Sequence, residues 1–229
     1  MKKEVKHEHS SKYNLRDIIL GGQDGLVNVL GIVLAVATAT KDIRIVLITG
    51  LAATFAESLS MAAVAYTSTK ATRDYYLSVI QEEEKDIKLT PKKHKRKVKE
   101  IYSRKGFKGI LLNNIVRHVI SDKKLWVNTM VSEDLGVSQE QYTSPLKSAI
   151  VVGLAAVIGS LVPLVPFIFS FDYRITFALV LSILVLFITG AVKAKLTIGN
   201  WIRSGLEISV IGILAALIGY VIGLALGTI

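Results

Sequence analysis

The sequence predicts an all-α integral membrane protein, with five transmembrane helices and a cytoplasmic helical insert between the second and third. Three observations carry that prediction. The 229 residues are 51% hydrophobic with a mean hydropathy of +0.48, more apolar than water-soluble domains of this length usually are. The apolar residues gather into five runs, 18–39, 45–66, 149–171, 175–191 and 208–229, each near the ~20 residues that cross a bilayer core. Lysine and arginine alternate sharply between the connections. The N-terminal arm, the long loop from Lys70 to Lys147 and the stretch from Lys193 to Arg203 hold all but Lys41, Arg44 and Arg174. The positive-inside rule then sets the N-terminus in the cytosol and the C-terminus on the far side.

The elements follow in order. The arm "MKKEVKHEHSSKYNLRD" is polar and lacks the short apolar core and cleavage site of a secretory signal, so it is expected to stay attached. The first two spans are joined by the short turn "TKDIR", the third and fourth by "SFDYR", and the fifth stands alone. This divides the chain into an arm with spans one and two (1–70), an insert (71–145) and spans three to five (146–229). The insert opens as a continuation of span two through "TSTKATRDYYLSVIQEEEKDIK", which has neither Gly nor Pro. "LTP" breaks it, with Pro91 suited to the first turn of a second helix that Gly106 ends. In a third helix Leu111, Ile115 and Val119 recur at helical spacing, and a short fourth helix stops at Gly136. Pro163 and Pro166 interrupt regular hydrogen bonding in span three, either shaping its far end or serving packing alone. Lys193 and Lys195 anchor the end of span four, and Glu207 is an acid at the start of span five, suited to local pairing with Arg203.

Absent residues exclude chemistry. With no cysteine there is no disulfide framework, zinc–thiolate site or thiol nucleophile. The net charge of +10 follows membrane topology, and few aromatics interleave the basic residues, so nucleic acid is not an expected partner. Two carboxylates, by contrast, stand out. Asp24 lies in span one with Asn28 one turn on, and Glu57 lies in the middle of span two with Met61 one turn on. An ionised carboxylate at membrane depth costs a few kcal/mol or more unless paired, hydrated or neutralised. Neither span offers a basic partner, so a cation or a proton shared by Asp24 and Glu57 would relieve both. A thioether beside two carboxylates tips preference toward softer first-row ions such as Fe(II) and away from magnesium or calcium. Plainer readings stand beside these: Met61 as packing, and Asp24 as a residue that caps or snorkels near the cytosolic end.

"DIILGGQDGLVNVLGIV" followed by "AESLSMAAVAY" resembles the vacuolar iron transporter family, and so do "TPKKHKRKVKEIYSRKGF", "MVSEDLG", "GSLVPLVPF" and "IRSGLEISVIG". The resemblance implies a five-span homodimer that exports Fe(II) or Mn(II) from the cytosol in exchange for protons, along a path lined by spans one and two. Asp24 and Met61 fall on the family's transport residues. An acid often found eight residues before the Met is Ala53 here, and a Glu found four after it is Ala65. Glu57, on the same stripe, is positioned to restore the charge. The family's insert binds metal through acids on its first two helices and a later Met and Glu. Here the matching positions are Glu83, Asp86, His94, Lys97, Met130 and Glu133. Lys97 repels cations, so the insert is expected to hold metal weakly or not at all, with its basic run facing anionic lipid headgroups or simply water.

No cofactor is expected; Fe(II) or Mn(II) is cargo. The membrane is the plasma membrane in a prokaryote and a vacuole-like one in a eukaryote. A passive divalent-cation channel and a membrane metal sensor are the competing readings. A membrane enzyme is disfavoured. "DGLVN" is similar to the start of the phosphatidyl-alcohol transferase motif, but the Ala-Arg and paired aspartates which that chemistry needs are missing. "HEH" lacks the i, i+4 histidines of a helical metalloprotease.

Overall fold

The structure, a computed structural model, describes residues 4–40, 42–136, 144–170, 172–197 and 199–227, residues 4–14 as backbone only. Lys41, Phe171 and Ile229, and the side chains of the "HEH" run, lie outside the described residues. All regular structure in those residues is helical: α1 Glu4–Thr40, α2 Ile43–Leu89, α3 Pro91–Arg104, α4 Gly109–Ser121, α5 Lys123–Thr129, α6 Pro145–Leu161, α7 Val165–Ile168, α8 Arg174–Leu196 and α9 Trp201–Gly227. Five helical stretches are long and apolar enough to cross a membrane: Leu15–Thr40, Ile43–Leu89, Pro145–Ile168, Arg174–Leu196 and Trp201–Gly227. The protein is an all-α integral membrane protein.

The chain forms two compact units, Met1–Thr67 with Pro145–Ile229, and Ser68–Ser144. In the first, α1 is the central element and packs against both α6 and α9. Two seams of small residues permit this. A Cβ at Gly159 of α6 would overlap the Gly22 carbonyl of α1, and one at Gly219 of α9 would overlap the carbonyl of Gly31. Close backbone approach of this kind replaces the hydrophobic drive that helices lack in lipid. Val29 and Val33 of α1, Val46 of α2, Leu164, Phe167 of α7 and Ala178 of α8 form one buried cluster. The prolines act as expected from their chemistry: α6 ends at Leu161, a 3₁₀ turn runs over Val162–Leu164, and α7 restarts at Val165. Leu164 and Phe167 are buried by that break, so it serves packing. Asn200 caps α9 by accepting from the backbone N–H groups of Ile202 and Arg203, and Arg203 pairs with Glu207 one turn on, at 3.1 Å.

The second unit is the insert. Helix α2 runs on through it without interruption to Leu89, far past its apolar part. Thr90 separates it from α3, whose second end is turned by Gly106 at φ +95°. Asp122 caps α5, accepting from Lys124 and Leu125, and a π-helical turn over Met130–Asp134 completes the chain of helices before Gly136. The core joins Tyr76 and Ile87 of α2 to Val98, Ile101, Leu112, Val116, Val119, Val127 and Met130.

Candidate cation site

The antiparallel packing of α1 on α2 decides what can meet. Val33 lies against Gly50, and the Asn28 side-chain amide donates to Glu57 Oε1 at 2.9 Å. The two contacts lie five residues apart on α1 and seven on α2, as in antiparallel helices. Four residues back from Asn28 is Asp24, and four on from Glu57 is Met61, so both lie about one turn beyond the Asn28–Glu57 contact, on the same side of it. The Asp24 carboxyl stands close enough to the Glu57 carboxyl for the two to interact. Asp24, Glu57 and Met61 are all half-buried.

The structure thus brings Asp24 and Glu57 together, with Asn28 orienting Glu57. Among the described residues neither acid has an ion pair with a lysine or arginine. Two carboxylates at this spacing repel unless a proton or a cation lies between them. Ala53 packs against the buried cluster around Val33, leaving the acid role on this stripe of α2 to Glu57. The sequence reading passed over Asp17. It sits seven residues before Asp24, on the same face of α1, and accepts from the Ser148 hydroxyl of α6 at 2.6 Å. The i, i+7 spacing was the available signal.

The insert is arranged differently. His94 and Glu83 are buried, with Nε2 of the ring 3.4 Å from Glu83 Oε1. The other ring nitrogen lies 3.0 Å from the Thr90 carbonyl and 3.1 Å from the Thr90 hydroxyl, and Glu83 Oε1 makes no hydrogen bond among the described residues. Burial pushes the Glu83 carboxyl above its ordinary value, opposed by the charges of His94 and Lys97. Lys97 pairs with Asp134 at 2.6 Å, and that bond, with the fields of Asp134, Glu83 and Asp86, holds its ammonium pKa above the usual lysine value. Glu133 pairs with Lys105, and Glu84 with Lys123 at 2.7 Å. Met130 is fully buried in the core. Of Glu83, Asp86, His94, Met130 and Glu133, only Glu83 and His94 meet as a pair. Among the described residues no three His, Asp or Glu side chains converge.

Comparison with known proteins agrees with this architecture. The chain is 30% identical over 216 residues to vacuolar iron transporter 2 of Oryza sativa subsp. japonica, covering 91% of this chain and 88% of the relative. It is 26% identical over 230 residues to vacuolar iron transporter 1 of Tulipa gesneriana, covering 97% and 93%. It is 29% identical over 235 residues to the vacuolar iron transporter of Plasmodium falciparum, covering 98% and 86%. The sequence profile of the VIT family matches residues 15–224, from the first membrane helix to the last, and the chain belongs to the VIT family.

Proposed function

We propose that the protein carries Fe(II) or Mn(II) out of the cytosol in exchange for protons, through a site formed by α1 and α2. Metal transport is the activity named for its relatives, and a transporter family leaves no place for an enzymatic reading. The observation that carries the site is the meeting of the Asp24 and Glu57 carboxyls, without a basic partner among the described residues. In this reading the two acids share a proton when no metal is present. A divalent ion displaces it, and Met61, one turn on from Glu57, supplies the soft donor that favours later transition metals over magnesium. Asn28 holds Glu57 in position through the exchange. The working unit is a homodimer with its N-terminus in the cytosol, and the exposed lysines of α3 face anionic headgroups.

The test is reconstitution in liposomes that hold a pH dye and a metal-quenched dye, with Fe(II), Mn(II) or Mg(II) added outside. Metal entry with opposite proton movement is expected, and Asp24→Asn or Glu57→Gln abolishes it. Metal flux without protons would make the protein a passive channel. Unchanged flux in Asp24→Asn would overturn the site.

A further inference from the structure

We propose that a groove between the cytosolic ends of α1 and α8 binds one anionic phospholipid, with its phosphate between Arg16 and Lys193. The groove has a volume of about 820 Å³ and is walled by Leu15, Ile19 and Leu20 of α1 and Leu196 of α8, with Arg16 and Lys193 on its two sides. That volume is within the range of ligand pockets, ~300–1,000 Å³. Along α1 the lining recurs at 15, 16, 19 and 20 and ends at Gln23, a stripe about 12 Å long by helical rise. Polar and apolar requirements are thus met in one place: two cations for a phosphate, and aliphatic walls for the upper acyl chains.

Charge complementarity selects the occupant. Arg16 and Lys193 are exposed, and neither has an ion pair among the described residues. The neighbouring acid, Asp17, is already engaged by Ser148. The Thr197 hydroxyl in the same lining is engaged with the Lys193 backbone carbonyl, so the side-chain polar groups left to meet an anion there are those of Arg16, Gln23 and Lys193. A guanidinium fork and an ammonium suit a phosphate monoanion, and a soluble anion would leave the aliphatic walls wet. The site is separate from the basic face of α3. The proposal rests on the chain being embedded in a bilayer and not on transport.

The test uses the full chain purified in neutral detergent, titrated with phosphatidylglycerol or phosphatidylcholine and read by native mass spectrometry and by melting temperature. Phosphatidylglycerol is expected to bind about 25-fold more tightly, at about fivefold for each facing cation, equivalent to ~1 kcal/mol apiece. Arg16→Gln and Lys193→Gln each lose about fivefold, and together they remove the preference. Lys195→Gln and a Lys92→Gln, Lys93→Gln double variant keep it. Leu20→Trp, which fills the groove without changing its charge, weakens both lipids and serves if the charge variants melt early without lipid. Equal binding of the two lipids, a preference that survives Arg16→Gln with Lys193→Gln, or its loss with the α3 variants would each overturn the proposal. So would glycerophosphate alone competing as well as the lipid.

Discussion

The two units of this protein place acids in similar numbers but neutralise them in opposite ways. In the membrane unit, Asp24 and Glu57 meet with only the neutral amide of Asn28 between the helices. In the insert four acids each face a base: Glu83 faces His94, Asp134 Lys97, Glu133 Lys105 and Glu84 Lys123. Lys97 stands in the field of Asp134, Glu83 and Asp86 at once. An acid pair left unneutralised needs a mobile cation or proton, whereas one neutralised by a tethered ammonium does not. On the proposed reading, the contrast places the need for a cation or proton in the membrane unit and lessens it in the insert.

The largest effects are expected where the unneutralised pair is broken. Asp24→Asn and Glu57→Gln each reduce metal-driven proton flux in liposomes to background, while size-exclusion profile and melting temperature stay near wild type. Retained flux in both would show that the pair is structural. Asn28→Ala removes a hydrogen bond to a charged group, an interaction worth ~1.5–3 kcal/mol, so half-saturation for Mn(II) should rise by about tenfold or more. A rise no larger than that of an exposed control such as Asn113→Ala would separate Asn28 from the site.

How much of this could be read in the sequence depends on the distance over which each feature acts. Five apolar runs, the break at "LTP", the stop at Gly106 and the prolines of span three act within a turn or two of chain, and the helices end where those residues stand. Asp24 and Glu57 were visible because a carboxylate in an apolar run is expensive wherever it points. Their meeting, and the amide that bridges to Glu57, depend on the register between α1 and α2, which periodicity does not reveal. Three ion pairs of the insert, Lys97–Asp134, Lys105–Glu133 and Lys123–Glu84, join residues 28–39 positions apart, beyond any local pattern. Lys97 read as a repulsive charge; its pairing with Asp134, 37 positions along, is a fact of tertiary structure. The backbone of α1 reaches back to Glu4, past the apolar boundary at residue 18, because the arm has neither Gly nor Pro to stop it.

Charge reversal in the insert sharpens the contrast from the other side. Lys97→Glu replaces the tethered cation with a carboxylate beside Asp134, Glu83 and Asp86. In an Asp24→Asn background, which silences the membrane site, this variant should bind Mn(II) at least about tenfold more tightly than its parent by calorimetry, a gain of ~1.4 kcal/mol or more. Unchanged affinity would mean that these acids do not share a site once the ammonium is gone.

The smallest effect concerns Glu83, and its sign follows from burial. The carboxyl is held above its ordinary 4.5, chiefly because burial penalises the charged form. A group that binds its proton more tightly when folded contributes stability that is fully present below pH 4.5 and is lost as pH rises through the folded value. Wild-type insert should therefore melt at a lower temperature near neutral pH than the Glu83→Gln variant. The gap should close as pH falls toward 4.5. Trp126, packed on the insert core, reports this melting in the full chain once Trp201→Phe removes the other indole. A gap that stays constant with pH would trace the effect to side-chain packing. A gap of opposite sign would mean that His94 and Lys97 outweigh burial, making the insert's buried acid a stabilising partner in an ion pair where burial alone would make it a liability.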